Sequence, residues 1–207
     1  MSKGIDVSRW QGNIDWCTVK KSGAVDFCII KIGGNDGGSL YKDSKFIQNY
    51  YGCKGHNIPC GCYFFLGKQV NSVERGRACA SQILSLIKGY QFEFPIWIDV
   101  EQADKKTKQD NTDAVKAICD VIEKAGYYVG IYGSDINTFD EMLNTAQLSM
   151  FDKWVARYPL SSKNKHAGGL RQYSSTGSVA GIKGNVDLNE SYYGYPEIMK
   201  NKHLNGY

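Results

Sequence analysis

Short apolar runs alternate with amphipathic helical patterns through the first two-thirds of this chain, and few architectures accommodate that order. A run of about four to eight apolar residues has the length of a buried strand. A helix between two such runs lets the chain cross over and lay the second strand parallel to the first. The predicted strands are 4–8, 25–32, 58–65, 94–101, 127–132, 153–157, 170–174 and 185–188. Helical patterns fill the early gaps at 14–21, 41–53, 73–88, 112–124 and 139–148, and Gly89 and Gly126 suit the left-handed positions that end helices. The connections 159–168 and 175–184 are rich in Ser, Gly, Lys and Thr and have no apolar stripe, so the last strands are expected without crossover helices. The expectation is an α/β fold, an irregular TIM-like barrel of five β/α units followed by three strands lacking helices.

With 207 residues there is room for one large core, placed at 1–191, and the stretch 192–207 reads as an exposed C-terminal tail or the start of a linker. The net charge of +4 comes from scattered Lys and Arg, which gives no nucleic-acid footprint. No apolar stretch approaches the roughly 20 residues that span a bilayer, so no membrane insertion is expected, and the opening Met1-Ser2-Lys3-Gly4-Ile5-Asp6 has no secretory signal character. Seven cysteines, an odd number set in apolar patterns, read as reduced, buried thiols. Cys60-Gly61-Cys62 has no second pair to complete a zinc site, and His56, His166 and His203 are far apart, so no metal or cofactor is predicted. The same separation leaves a zinc peptidase without ligands, and Cys60 and Cys62 have no evident histidine partner for thiol catalysis.

Acids set among aliphatic residues carry the chemical signal. Side chains on a strand alternate faces, so in Ile96-Trp97-Ile98-Asp99-Val100-Glu101 the two acids share one side while Val100 turns to the helices. They precede the polar stretch Gln102-Ala103-Asp104-Lys105, which places them at the C-terminal mouth of a barrel. Asp6 between Ile5 and Val7, and Asp187 between Val186 and Leu188, are expected to point inward by the same alternation. Singly, each has an ordinary explanation: Asp6 bonded to amides near Ser8, Asp187 capping a turn, Asp99 or Glu101 paired with Lys31. Together, four ionised carboxylates in one pocket repel one another and lose hydration, so at least one should keep its proton near neutral pH. Glycoside hydrolysis uses that combination, one acid to protonate the departing oxygen and one carboxylate to stabilise positive charge or orient the attacking group.

At these same residues the chain resembles the glycoside hydrolase family 25 lysozymes. The similar stretches are Gly4-Ile5-Asp6-Val7-Ser8 with Gln11-Gly12 and Ile14-Asp15-Trp16, Ile98-Asp99-Val100-Glu101, Gly130-Ile131-Tyr132, Trp154-Val155-Ala156-Arg157-Tyr158, and Gln172-Tyr173-Ser174-Ser175 through Gly181-Ile182-Lys183-Gly184-Asn185-Val186-Asp187-Leu188-Asn189. The resemblance implies a muramidase that hydrolyses the β-1,4 bond between N-acetylmuramic acid and N-acetylglucosamine in bacterial peptidoglycan. It implies Glu101 as general acid and Asp99 as its assistant, orienting the substrate's own acetamido group or attacking directly, with Asp6 and Asp187 completing the acidic cluster. Tyr63, Tyr132, Phe65, Trp154 and Gln172 are the expected glycan contacts. Two positions depart from the family pattern, Phe64 where a histidine is common and Arg171 where an aromatic is common, and Arg171 is expected to approach a peptide or muramyl carboxylate. A single copy is expected to act outside the cell on the wall, after phage-type release or as part of a larger secreted protein. The competing reading is a module of the same fold that binds peptidoglycan without cutting it, and the retained acids argue against that.

Overall fold

The sheet closes on itself. In the computed structural model, which describes residues 1–158 and 166–207, the strands are β1 (Ser2–Val7), β2 (Phe27–Gly34), β3 (Tyr41–Lys42), β4 (Cys60–Phe65), β5 (Ile96–Asp99), β6 (Val129–Ser134), β7 (Asp152–Ala156), β8 (Leu170–Gly177) and β9 (Val186–Ser191). Strand β1 pairs with β2 on one side and β9 on the other, which seals an eight-stranded barrel, and β3 hangs on β2 outside the ring. Within the ring, neighbours from β1 through β8 are parallel, whereas β9 runs antiparallel to both β8 and β1, as the outlying β3 does to β2. The short link from β8 to β9 has no room for a crossover, so the last strand must return in the opposite direction. Of the predicted connection 159–168, residues 159–165 lie outside the described residues.

Strand alternation separates two cores. Ile5, Val7, Cys28, Ile30, Ile96 and Ile98 face the helical layer, while Phe27, Ile29, Trp97, Trp154 and Leu170 fill the barrel interior. The helices are α1 (Trp16–Lys21), α2 (Phe46–Gly55), α3 (Val73–Ile87), α4 (Lys108–Lys124) and α5 (Tyr195–Asn201). Ser72 starts α3 by accepting from the Arg75 amide at 3.3 Å, and Asp15 starts α1 through the Thr18 amide at 3.0 Å. Six cysteines are buried as expected, but Cys17 is exposed on α1.

Three expectations need correction. The predicted helix 41–53 is a strand followed by a helix: the Asp43 carboxylate accepts from the Arg9 amide (3.1 Å) and the Lys45 amide (2.9 Å), and this tight turn delays helix α2 until Phe46. The fifth crossover, predicted as a helix over 139–148, is a π turn (Asn137–Met142) followed by a 3-10 turn (Thr145–Leu148). There the Thr138 hydroxyl donates to the Val100 carbonyl at 2.8 Å and accepts from the Ser134 amide at 3.1 Å, which ties the turn to the strand ends.

The stretch 192–207 is no exposed tail. Helix α5 folds under the barrel, with Tyr195, Met199 and Asn205 fully buried. The Tyr195 hydroxyl donates to Asp152 at 2.5 Å. Asn205 accepts from the Tyr128 amide (2.8 Å) and donates to the Phe94 carbonyl (2.9 Å), while its own backbone bonds Gly126 and Phe92. Its φ of 57° is in the left-handed region, which asparagine tolerates better than most residues. Replacing Asn205 with Ala should therefore lower unfolding free energy by about 2–4 kcal/mol, from two unpaired buried groups and added backbone strain. Urea denaturation reads this directly, and an unchanged midpoint would show that the floor of the barrel does not depend on Asn205.

Candidate active site

The acids predicted from strand alternation meet in one cavity of about 310 Å³ at the barrel mouth. Asp6, Asp99, Glu101 and Asp187 all line it, together with Tyr63, Phe65, Tyr132, Trp154 and Gln172. The parallel strands deliver side chains from their C-terminal ends. Because β9 runs the other way, it delivers Asp187 from its beginning, directly opposite Asp6 in the β1–β9 register.

Asp6 is 5% exposed, and its Oδ2 accepts from Gln172 Nε2 and Asn189 Nδ2, both at 2.8 Å. Burial and then the Asp187 charge push its pKa up to about 8, against the pull of those two donors. Burial raises Asp187 as well, and its hydrogen bond to Asp6 works in the other direction. Burial and the facing charge thus favour one proton held between the two carboxyls at neutral pH.

Asp99 is 3% exposed, and its Oδ1 has no hydrogen-bond partner. Burial raises its pKa well above the usual carboxylate range, the charge on Glu101 adds to this, and Lys31 opposes it. Glu101 differs from its expected place: β5 ends at Asp99, and Glu101 stands two residues beyond the strand, where its side chain reaches solvent at the rim. Even there, burial raises its pKa, again opposed by Lys31. Lys31 makes no ion pair within 4.0 Å of either acid; its ammonium sits 4.4 Å from the centre of the Phe65 ring.

The aromatic and amide residues divide into two groups. Trp154 is 1% exposed, packs on Tyr132 with ring centres 4.3 Å apart and donates from Nε1 to Asn189 at 2.8 Å. Gln172 Oε1 accepts from the Tyr132 hydroxyl at 2.8 Å and from the Tyr158 hydroxyl. Trp154, Tyr132 and Gln172 thus form the supporting floor, their polar groups engaged with one another. Tyr63 and Phe65 are half-buried and keep part of their surface open to the cavity. Sequence reasoning missed two rim residues, Trp10 (77% exposed) and Tyr158 (44% exposed). Trp10 follows directly on β1 in a turn held by the reciprocal Ser8 and Gln11 cap, so its nearness to Asp6 was the available signal. Arg171 does not reach the cavity: its neighbour Gln172 points inward, and Arg171 lies 3.7 Å from Glu190 on the outer face of the sheet.

Fold and site together define a barrel protein that presents carboxyl groups at a single mouth. The sequence profile of Glycosyl hydrolases family 25 matches residues 5–182, and the chain belongs to that family of glycoside hydrolases. It is 31% identical over 189 residues to the autolytic lysozyme of Clostridium acetobutylicum, covering 91% of this chain and 55% of the relative, so it spans about half of that protein's length. Over 205 residues it is 30% identical to lysozyme M1 of Streptomyces globisporus, covering 91% of this chain and 67% of the relative. Among solved structures, the bacterial lysozyme of Streptomyces coelicolor superposes with a TM-score of 0.76 at 28% identity, covering 97% of this chain and 98% of that one.

The shared proton makes stability depend on pH. Folded Asp6 keeps its proton up to about pH 8, whereas the ordinary aspartate value is 3.8, so the folded state carries the extra proton across that window. Stability must fall as pH rises through it. Asp6→Asn preserves the acceptor and supplies a permanent donor to Asp187. The variant should match the parent near pH 4 and exceed it at pH 8 by on the order of 5 kcal/mol. Coincident urea curves for the two proteins at pH 8 would contradict a proton shared at this seam.

Proposed function

We propose that the chain is an N-acetylmuramidase, hydrolysing the β-1,4 bond between N-acetylmuramic acid and N-acetylglucosamine in bacterial peptidoglycan. The observation that carries this reading is the convergence of Asp99 and Glu101, both with raised proton affinity, on one open cavity. Glu101, at the rim and inclined to hold its proton, is the proposed general acid that protonates the departing sugar oxygen. Asp99 lies deeper with an unpartnered Oδ1, an acceptor suited to an acetamido N–H. A donor there would stabilise the ionised carboxylate and turn the acetamido oxygen toward the anomeric carbon, a substrate-assisted route. Asp6 and Asp187 hold the far wall of the site. Tyr63 and Phe65, with Trp10 and Tyr158 at the rim, are the surfaces offered to the glycan. All of these groups come from one chain, so a monomer suffices. The place of action is the cell wall, in keeping with the autolytic name of the Clostridium relative.

Glu101→Gln should reduce release of new reducing ends from purified peptidoglycan by about 10²- to 10⁴-fold while leaving the thermal midpoint close to the parent's. Mass spectrometry of the parent's digest should show fragments with N-acetylmuramic acid at the reducing end. Fragments ending otherwise would move the cleavage to another bond, and co-sedimentation with the wall without any release would make the chain a binding module.

A further inference from the structure

Lys31 is the one residue of the cavity lining, among the described residues, whose charge opposes the acids. It points inward from β2 at the level of the mouth, between Tyr63 in register on β4 and the rim. Its ammonium lies 4.4 Å from the centre of the Phe65 ring, 5.7 Å from Tyr41 and 5.8 Å from Tyr63. Three ring faces hold a cation in position without neutralising it. Around it stand Arg9 after β1, Asp36 and Asp43 flanking β3, and Asp99 on β5, while Asp6, Glu101 and Asp187 share the same cavity. Burial works against the charge on Lys31, and Asp99 is the acid that supports it most.

We infer that Lys31 is a positioning residue that sets the proton affinity of the Asp99 and Glu101 pair, keeping one carboxyl ionised beside one protonated, and that the aromatic cage exists to hold the ammonium short of a direct ion pair. A closed ion pair would fix Lys31 on one acid and occupy the oxygens that the substrate needs. At a distance, the same charge acts on both carboxyls, and both feel it. Removing it leaves mutual repulsion and burial unopposed, so both acids should hold their protons to higher pH. This inference rests on the muramidase reading for its catalytic consequence but not for its electrostatic content.

Two measurements separate those parts. Carbon-13 carboxyl titrations by NMR, without substrate, should show the midpoints of Asp99 and Glu101 rising by about one pH unit in Lys31→Met and staying near the parent's in Lys31→Arg. On peptidoglycan, both limbs of the pH–activity profile should move upward by a similar amount in Lys31→Met. Lys31→Gln serves as a second neutral variant should the methionine perturb the fold. Unchanged carboxyl midpoints in the neutral variants would overturn the inference, as would an activity loss confined to KM with the profile unshifted, which would make Lys31 a substrate anchor instead. If the parent protein releases no fragments, the muramidase reading fails while the NMR titration still decides the role of Lys31.

Discussion

One seam holds the barrel and its chemistry together. Asp6 on β1 receives hydrogen bonds from Gln172 on β8 and Asn189 on β9, three strands that no crossover helix ties to one another. Strand β9 is inserted against the direction of the rest of the sheet, and these side-chain bonds add to the backbone pairing and apolar packing that close it. A carboxyl group is a costly choice for such a joint, because burial disfavours its charge. The cost is met by a proton shared with Asp187, and this makes the joint part of the acidic site rather than a neighbour of it.

Much of this was legible in the sequence because strand alternation is rigid. A residue between two core-facing aliphatics has only one direction left to point, so Asp6, Asp99 and Asp187 could be placed in the barrel from their neighbours alone. Glu101 was placed by extending the same alternation past the end of β5, and it reached the cavity although the strand had stopped. The features that stayed hidden depend on partners distant in the chain. Asn205 is a small polar residue in a charged, tyrosine-rich stretch, and nothing near it in sequence shows that it will bond Phe94 and Tyr128 across the base of the barrel. The β3 strand and the π turn reflect single side chains, Asp43 and Thr138, competing with backbone bonding, and hydrophobic periodicity does not register that competition.

The aromatic residues show the same divide. The sequence grouped Tyr63, Phe65, Tyr132 and Trp154 as one kind of residue, and burial sorts them. Tyr132 and Trp154 are engaged with each other and with the amides of Gln172 and Asn189, which fixes those amides toward Asp6. Tyr63 and Phe65, half-buried, face Lys31 and the open cavity. Buried rings thus brace a polar scaffold, while half-buried ones form the surface open to a ligand.

The buried helix α5 has a wider consequence. With Tyr195 packed against Trp97 and Phe94, and Trp97 against Trp154, the barrel is stoppered from beneath by aromatic rings and behaves as a cup with one opening. A long polymer cannot thread through a cup. Under the proposed muramidase reading, a glycan would meet the acids by lying across the lip of the barrel rather than by entering it.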